Sequence, residues 1–188
     1  DLAPELLWSP DGARLLLSSR GTIVSWTPAS EAEKLWPPED WGEVGGRFQA
    51  SGWTPDGNRL AIIDDEGQVL FIDAEGRFEW ETRGHVLPLI HMGFTPQGTL
   101  LTASREAWHE WSLQGEHLDG ATPGGIEAVA VDGASLVSRV GGRWVVKDRV
   151  SGEELWSVET SEPNASVLLS NDGQSLVIRP AGGQHSLL

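Results

Sequence analysis

Residues 51–67 read SGWTPDGNRLAIIDDEG, and two readings of them lead to different proteins. Asp56, Asp64, Asp65 and Glu66 place four carboxylates within eleven residues, beside Gly57 and Gly67. A cation site or an acid/base pair would use such a cluster. The same letters also spell two tight turns bracketing one strand, with Pro55 presetting φ and Gly57 accepting a positive φ. Recurrence of the stretch elsewhere in the chain decides between the two.

It recurs. Residues 6–19 read LLWSPDGARLLLSS, 92–104 read MGFTPQGTLLTAS, 128–139 read AVAVDGASLVSR and 167–179 read VLLSNDGQSLVIR. The turn glycines Gly12, Gly57, Gly98, Gly133 and Gly173 are 45, 41, 35 and 40 residues apart. A period near 40 is that of a repeat architecture. The Asp-Gly pairs at 11, 56, 132 and 172 are therefore turn chemistry. The acids at 64–66 have no acidic equivalents at Ser19-Arg20-Gly21 or Arg105-Glu106, and they lack the alternating ligand spacing of a calcium loop.

Each unit has one grammar. A second apolar run follows the turn, at Arg14–Ser19, Arg59–Asp64, Thr99–Ser104, Ser135–Val140 and Ser175–Arg179. A third run follows at Thr22–Trp26, Gln68–Asp73, Ala107–Leu113 and Arg143–Asp148, and a fourth at 33–36, 77–81 and 153–158, weakest in the third unit near Glu116–Leu118. Four short strands joined by hairpin turns predict one small antiparallel sheet per unit. No segment keeps a 3.6-residue period, so no helix is expected.

A lone four-stranded sheet leaves both faces wet, and radial stacking of such sheets covers them. The expected fold is all-β: a β-propeller of four-stranded antiparallel blades, about four and a half blades in one region, with approximate boundaries 1–41, 42–84, 85–121, 122–161 and 162–188. Ten tryptophans against four phenylalanines and no tyrosine then acquire a use as filler between blade faces. Trp8, Trp53 and Phe94 share one repeat position, Trp26 and Trp111 a second, and Trp36, Trp80 and Trp156 a third.

These residues resemble the WD-repeat propellers. The third unit, with Gly84-His85 at its start and Trp111-Ser112 at the Trp-Asp position, is similar to the family's Gly-His … Ser-Pro-Asp-Gly … Leu-Trp-Asp pattern. The equivalent pairs Trp26-Thr27, Ile72-Asp73 and Lys147-Asp148 depart from it. The family's aspartate between second and third strands is replaced by Arg20, Glu66, Arg105 and Gly141. The family's His–Ser/Thr–Asp–Trp hydrogen-bond network is therefore expected to be missing, and TolB-like or prolyl-oligopeptidase-type propellers stay open. The chain opens on the first strand of unit one and ends in the third strand of unit five. Completion of the ring is expected from self-association or from a further chain segment.

The formal charge is −15, which repels phosphate backbones; neither nucleic acid nor membrane is expected as a partner. No apolar run reaches the roughly 20 residues that span a bilayer, and no signal peptide is visible, which favours a cytoplasmic location. There are no cysteines, so thiolate chemistry is absent. No phosphate-cradling glycine loop or nucleophile elbow occurs, so no cofactor, metal or catalytic residue is assigned. The five histidines show no ligand-spaced pair; His85 reads as a blade-capping residue, His109 and His117 as ordinary blade-edge residues.

In the WD resemblance, the loops joining fourth to first strands and second to third strands line one rim. That implies a candidate protein- or peptide-binding rim of Arg20, Glu39, Asp40, Trp41, Glu66, His85, Arg105 and Arg143, with Trp41 either exposed among acids as an anchor or folded back onto its blade. The expected function is a non-catalytic scaffold; the alternative is an accessory propeller docked to or gating a hydrolase-type catalytic domain outside this chain.

Overall fold

The computed structural model describes residues 5–19, 22–29, 31–36, 48–64, 67–83, 85, 89–130, 132–159, 165–170, 172–179 and 186–187. Among them there is no helix, and the strands fall into five sheets. Blade one is β1 (Glu5–Trp8), β2 (Leu15–Ser19), β3 (Thr22–Trp26) and β4 (Glu33–Trp36); blade two is β5 (Phe48–Trp53), β6 (Arg59–Asp64), β7 (Gln68–Asp73) and β8 (Phe78–Arg83). Blade three is β9 (Leu89–Phe94), β10 (Leu100–Ser104), β11 (Trp108–Trp111) and β12 (His117–Ala121); blade four is β13 (Ile126–Val129), β14 (Ser135–Val140), β15 (Arg143–Asp148) and β16 (Glu154–Glu159). Blade five has three strands, β17 (Ser166–Leu169), β18 (Leu176–Arg179) and β19 (Ser186–Leu187). Every pairing is antiparallel between neighbours in sequence.

The opening stretch is β5, a turn and β6. Gly57 donates its N–H to the Thr54 carbonyl (2.8 Å), and Asn58 N–H donates to Asp56 Oδ1 (3.1 Å). Gly57 has φ +71°, a region that side chains disfavour. Blades one and five build the same turn, with Ser9 Oγ donating to Asp11 (2.6 Å) and Ser170 Oγ to Asp172 (2.7 Å). At the other end of β6, Asp64 Oδ1 accepts from Gln68 N–H (2.8 Å), which shapes the next hairpin; Asp65 and Glu66 lie outside the described residues.

These bonds make stability depend on pH in two ranges. The hydroxyl of Ser9, Thr54 or Ser170, then backbone N–H groups, hold Asp11, Asp56 and Asp172 below the usual carboxylate range. A carboxyl with a depressed folded pKa stabilises above its unfolded value, about 3.9, and loses that contribution as pH falls through the folded value. His91 differs: burial pushes its imidazole down to about 4, so an unfolded chain takes up a proton near 6.5 that the folded one refuses. Urea midpoints should therefore fall first between about pH 6.5 and 4 and again below about pH 4. His91→Gln should flatten the first phase and Asp56→Ala weaken the second; an unchanged profile in both would refute the assignment.

The chain forms two compact units, Asp1–Pro88 and Leu89–Leu188. In the first, Leu7, Leu16, Ile23 and Leu35 of blade one pack against Trp53, Leu60, Ile62, Leu70 and Ile72 of blade two. In the second, Leu101, Ala103 and Trp108 of blade three meet Ile126, Val129 and Leu136 of blade four. Val137, Trp144 and Val146 of blade four meet Val167, Leu169, Leu176 and Ile178 of blade five. Alternation along each strand lets one blade present two apolar faces, as blade four does with Leu136 toward blade three and Val137 toward blade five.

The expectation that the recurrent aromatics fill blade interfaces needs correction in blade one. Trp53 is 7% exposed and Trp111 3%, but their repeat equivalents Trp8 and Trp26 are 57% and 41% exposed. The cause is position within the unit. Strand register places Leu6 and Trp8 opposite Leu17 and Leu15, and Val24 and Trp26 opposite Leu17 and Leu15 in turn, all on the face turned away from blade two. Trp156 is half-buried and its indole N–H donates to the Gly173 carbonyl (3.0 Å).

Candidate protein-binding rim

Tight turns and interblade connectors meet along one edge of the sheets. In blade three the hairpin between β10 and β11 is closed by Ser104, whose hydroxyl oxygen accepts from Ala107 N–H (3.2 Å). The connector leaving β12 then returns to that hairpin: Gly124 N–H donates to the Glu106 carbonyl (3.1 Å) and Ile126 N–H to the Arg105 carbonyl (2.8 Å). Gly124 and Gly125 have φ of +67° and +64°, a conformation glycine adopts readily. Blade two shows the same juxtaposition at Gly67, where a Cβ would come 2.6 Å from the His85 carbonyl oxygen.

Two of the eight rim candidates stand on this edge as exposed cations. Arg105 sits in the β10–β11 turn, its guanidinium 3.1 Å from Glu127 and its side chain 66% exposed. Arg143 opens β15 after the Gly141-Gly142 turn, donating to Ser157 Oγ (3.2 Å) and 3.9 Å from Glu154. They occupy equivalent hairpins of consecutive blades within one unit. Surface ion pairs of this kind are worth about 0–1 kcal/mol, so an incoming carboxylate or carbonyl exchanges with Glu127 or Glu154 at little cost. His85 is in the connector but only 7% exposed; it packs rather than presents a ring to solvent. Arg20, Glu39, Asp40, Trp41 and Glu66 lie outside the described residues.

Around Trp111 the structure differs from the sequence expectation twice. Trp111 N–H donates to Thr102 Oγ1 (3.0 Å), and both residues are buried. The Ser/Thr–Trp part of the network expected to be missing is therefore present in blade three. His109 and His117, read as unrelated edge residues, are brought together: His109 Nδ1 lies 3.0 Å from His117 Nε2. The hairpin from Ser112 to Glu116 returns β12 alongside β11, and a register shift at Glu110/Trp111 sets His117 opposite Trp111. The pairing sets His109 opposite Gly120 and His117 opposite Trp111, and the register shift that does so has no local sequence signal.

No family model matches the chain. Among solved structures it resembles the C-terminal WD40 domain of Sif2 (13% identity, TM-score 0.65, covering 96% of this chain and 56% of that one). It also resembles Kuenenia stuttgartiensis hydrazine synthase (18%, 0.67, covering 97% and 64%) and a chain of the mitotic checkpoint complex (15%, 0.65, covering 93% and 56%). The chain thus spans between about half and two-thirds of the length of these structures. At such identities the likeness shows the fold alone, a β-propeller.

Proposed function

We propose that this β-propeller is a non-catalytic scaffold that binds a protein or peptide along the edge carrying Arg105 and Arg143. The carrying observation is the pair of exposed guanidiniums at equivalent hairpins of consecutive blades, in a chain of net charge −15. A partner segment with acidic side chains or free carbonyls meets two planar donor forks there. Two similar structures bear names that fit this reading, a WD40 domain and a checkpoint complex.

The test is affinity capture from the source cell with the wild-type chain and the Arg105→Glu/Arg143→Glu variant. Partner recovery should drop at least several-fold while far-UV circular dichroism stays the same; equal recovery would remove the rim from the proposal. The second reading, an accessory propeller beside a catalytic domain, takes its support from the likeness to a protein named hydrazine synthase. The parent gene decides it: a catalytic domain encoded next to this region favours it, and none excludes it.

A further inference from the structure

We propose that His109 and His117 form a two-imidazole binding site for a divalent transition metal ion, with Cu2+ preferred over Zn2+. The facing nitrogens, His109 Nδ1 and His117 Nε2, are 3.0 Å apart. Metal–imidazole bonds of about 2.0–2.1 Å to nitrogens so placed subtend an angle of about 95° at the metal. The rings meet nearly end-on, with centroids 5.2 Å apart, so each turns to bring its lone pair onto the ion. The general order of affinity places Cu2+ above both Ni2+ and Zn2+.

Three further features of the site fit a ligand. Trp111, buried and held through its N–H by Thr102 Oγ1, backs both imidazoles, with ring centroids 5.6 Å from His109 and 5.0 Å from His117. It limits the rotation that would otherwise part the two rings. Gly120 keeps the space beside them clear: a Cβ there would lie 2.8 Å from His109 Nδ1, 3.0 Å from His117 Nε2 and 2.9 Å from the Trp108 carbonyl oxygen. Any larger residue at 120 would therefore displace the two facing nitrogens. His117 is exposed, so water completes the coordination shell, as it must when no third histidine or carboxylate joins the pair among the described residues. The negative charge of the chain raises the local concentration of cations.

The proton count balances without a redox partner. In the metal-free pair one facing nitrogen carries a hydrogen and the other accepts it. On metal binding that hydrogen relocates to the far nitrogen of its own ring, both facing lone pairs go to the metal, and each imidazole stays neutral. Acid must therefore compete with the metal.

Isothermal titration of the 188-residue chain with CuCl2, NiCl2 and ZnCl2, together with Cu2+ electron paramagnetic resonance, tests the site. One Cu2+ should bind per chain with two-nitrogen hyperfine structure, more tightly than Zn2+, and binding should weaken on acidification from about pH 8 to about pH 5. His117→Gln and His109→Gln should each weaken Cu2+ by about tenfold or more. Gly120→Ala should do so with both histidines intact, while near-UV circular dichroism of the exposed His117→Gln variant stays that of wild type. Absence of one-to-one Cu2+ binding, or binding that survives both histidine substitutions, would overturn the proposal and leave the pair as a hydrogen bond alone.

Discussion

Replacing Arg149 by alanine should destabilise the Leu89–Leu188 unit by about 3–5 kcal/mol, the usual cost of stranding one member of a buried ion pair. Arg149 joins two blades at a point where little water reaches. Its guanidinium lies 2.9 Å from Glu110, the two side chains being 9% and 16% exposed. Its Nε donates to the Gly133 carbonyl (2.6 Å), and its plane sits 4.2 Å over the Trp108 ring. Truncation leaves the Glu110 carboxylate desolvated, removes the cation over Trp108 and frees the turn carbonyl at once. At about 2–4 °C per kcal/mol for a chain of this size, the melting temperature should fall by roughly 10 °C. Because two compact units need not melt together, amide hydrogen exchange resolved to β10, β11 and β14 is the decisive measurement. Arg149→Lys keeps a charge but loses the planar fork and the stacking, and should recover only part of the loss. Replacing the pair together, as Arg149→Met with Glu110→Leu, should cost far less than Arg149→Ala, since no charge is then left alone. An Arg149→Ala loss within about 0.5 kcal/mol would show the site to behave as exposed surface.

Arg149 also marks where sequence reasoning stops. The five turns were legible because their chemistry is local: in blades one, two and five Ser or Thr, Asp and Gly within four residues satisfy one another, and blades three and four keep the glycine with Gln97 in place of the aspartate and Ala130 in place of the hydroxyl. Strand count and order followed, since hairpins join only neighbours. Nothing local announces that Arg149 of blade four reaches Glu110, 39 residues earlier, because that contact exists only after blades stack. The same holds for the rim. Arg105 and Arg143 were identifiable as turn residues, yet their glutamate partners and the fusion of hairpin to connector through Gly124 and Ile126 belong to tertiary structure. The sequence supports reading His85 both as a blade-capping residue and as a rim candidate, and its burial at 7% exposure agrees with capping. His109 and His117 escaped notice because a register shift of one residue, invisible to a pattern of alternation, decides which side chains meet.

The second large effect is a contrast between two tryptophans at one repeat position. Trp53→Ala should cost about 3–5 kcal/mol, as large-to-small changes of a buried indole do, because Trp53 stands 7% exposed in the core shared with Leu16, Ile23 and Leu35. Trp8→Ala, although the same letter of the repeat, should cost about 1 kcal/mol or less. Its equivalents Val129 and Leu169 are 8% exposed, yet Trp8 is 57% exposed, and opposite its neighbour Leu6 (62%) Leu17 stands at 42% where its own equivalents Ile62 and Ile178 stand at 0% and 4%. The repeat makes the argument: one sequence position, carrying apolar residues in every blade, is covered wherever a preceding blade of the same unit packs on it and open in blade one. An exposed apolar face of this kind marks an interaction surface. Trp8→Lys with Leu17→Glu should leave the melting curve of the Asp1–Pro88 unit within about 1 kcal/mol of wild type. If a second copy supplies the cover, native elution mass should drop from an oligomer to a monomer in that variant. A wild-type chain that stays monomeric across concentrations would exclude self-association, and a Trp8→Ala cost matching that of Trp53→Ala would show the face to be part of the folded core after all.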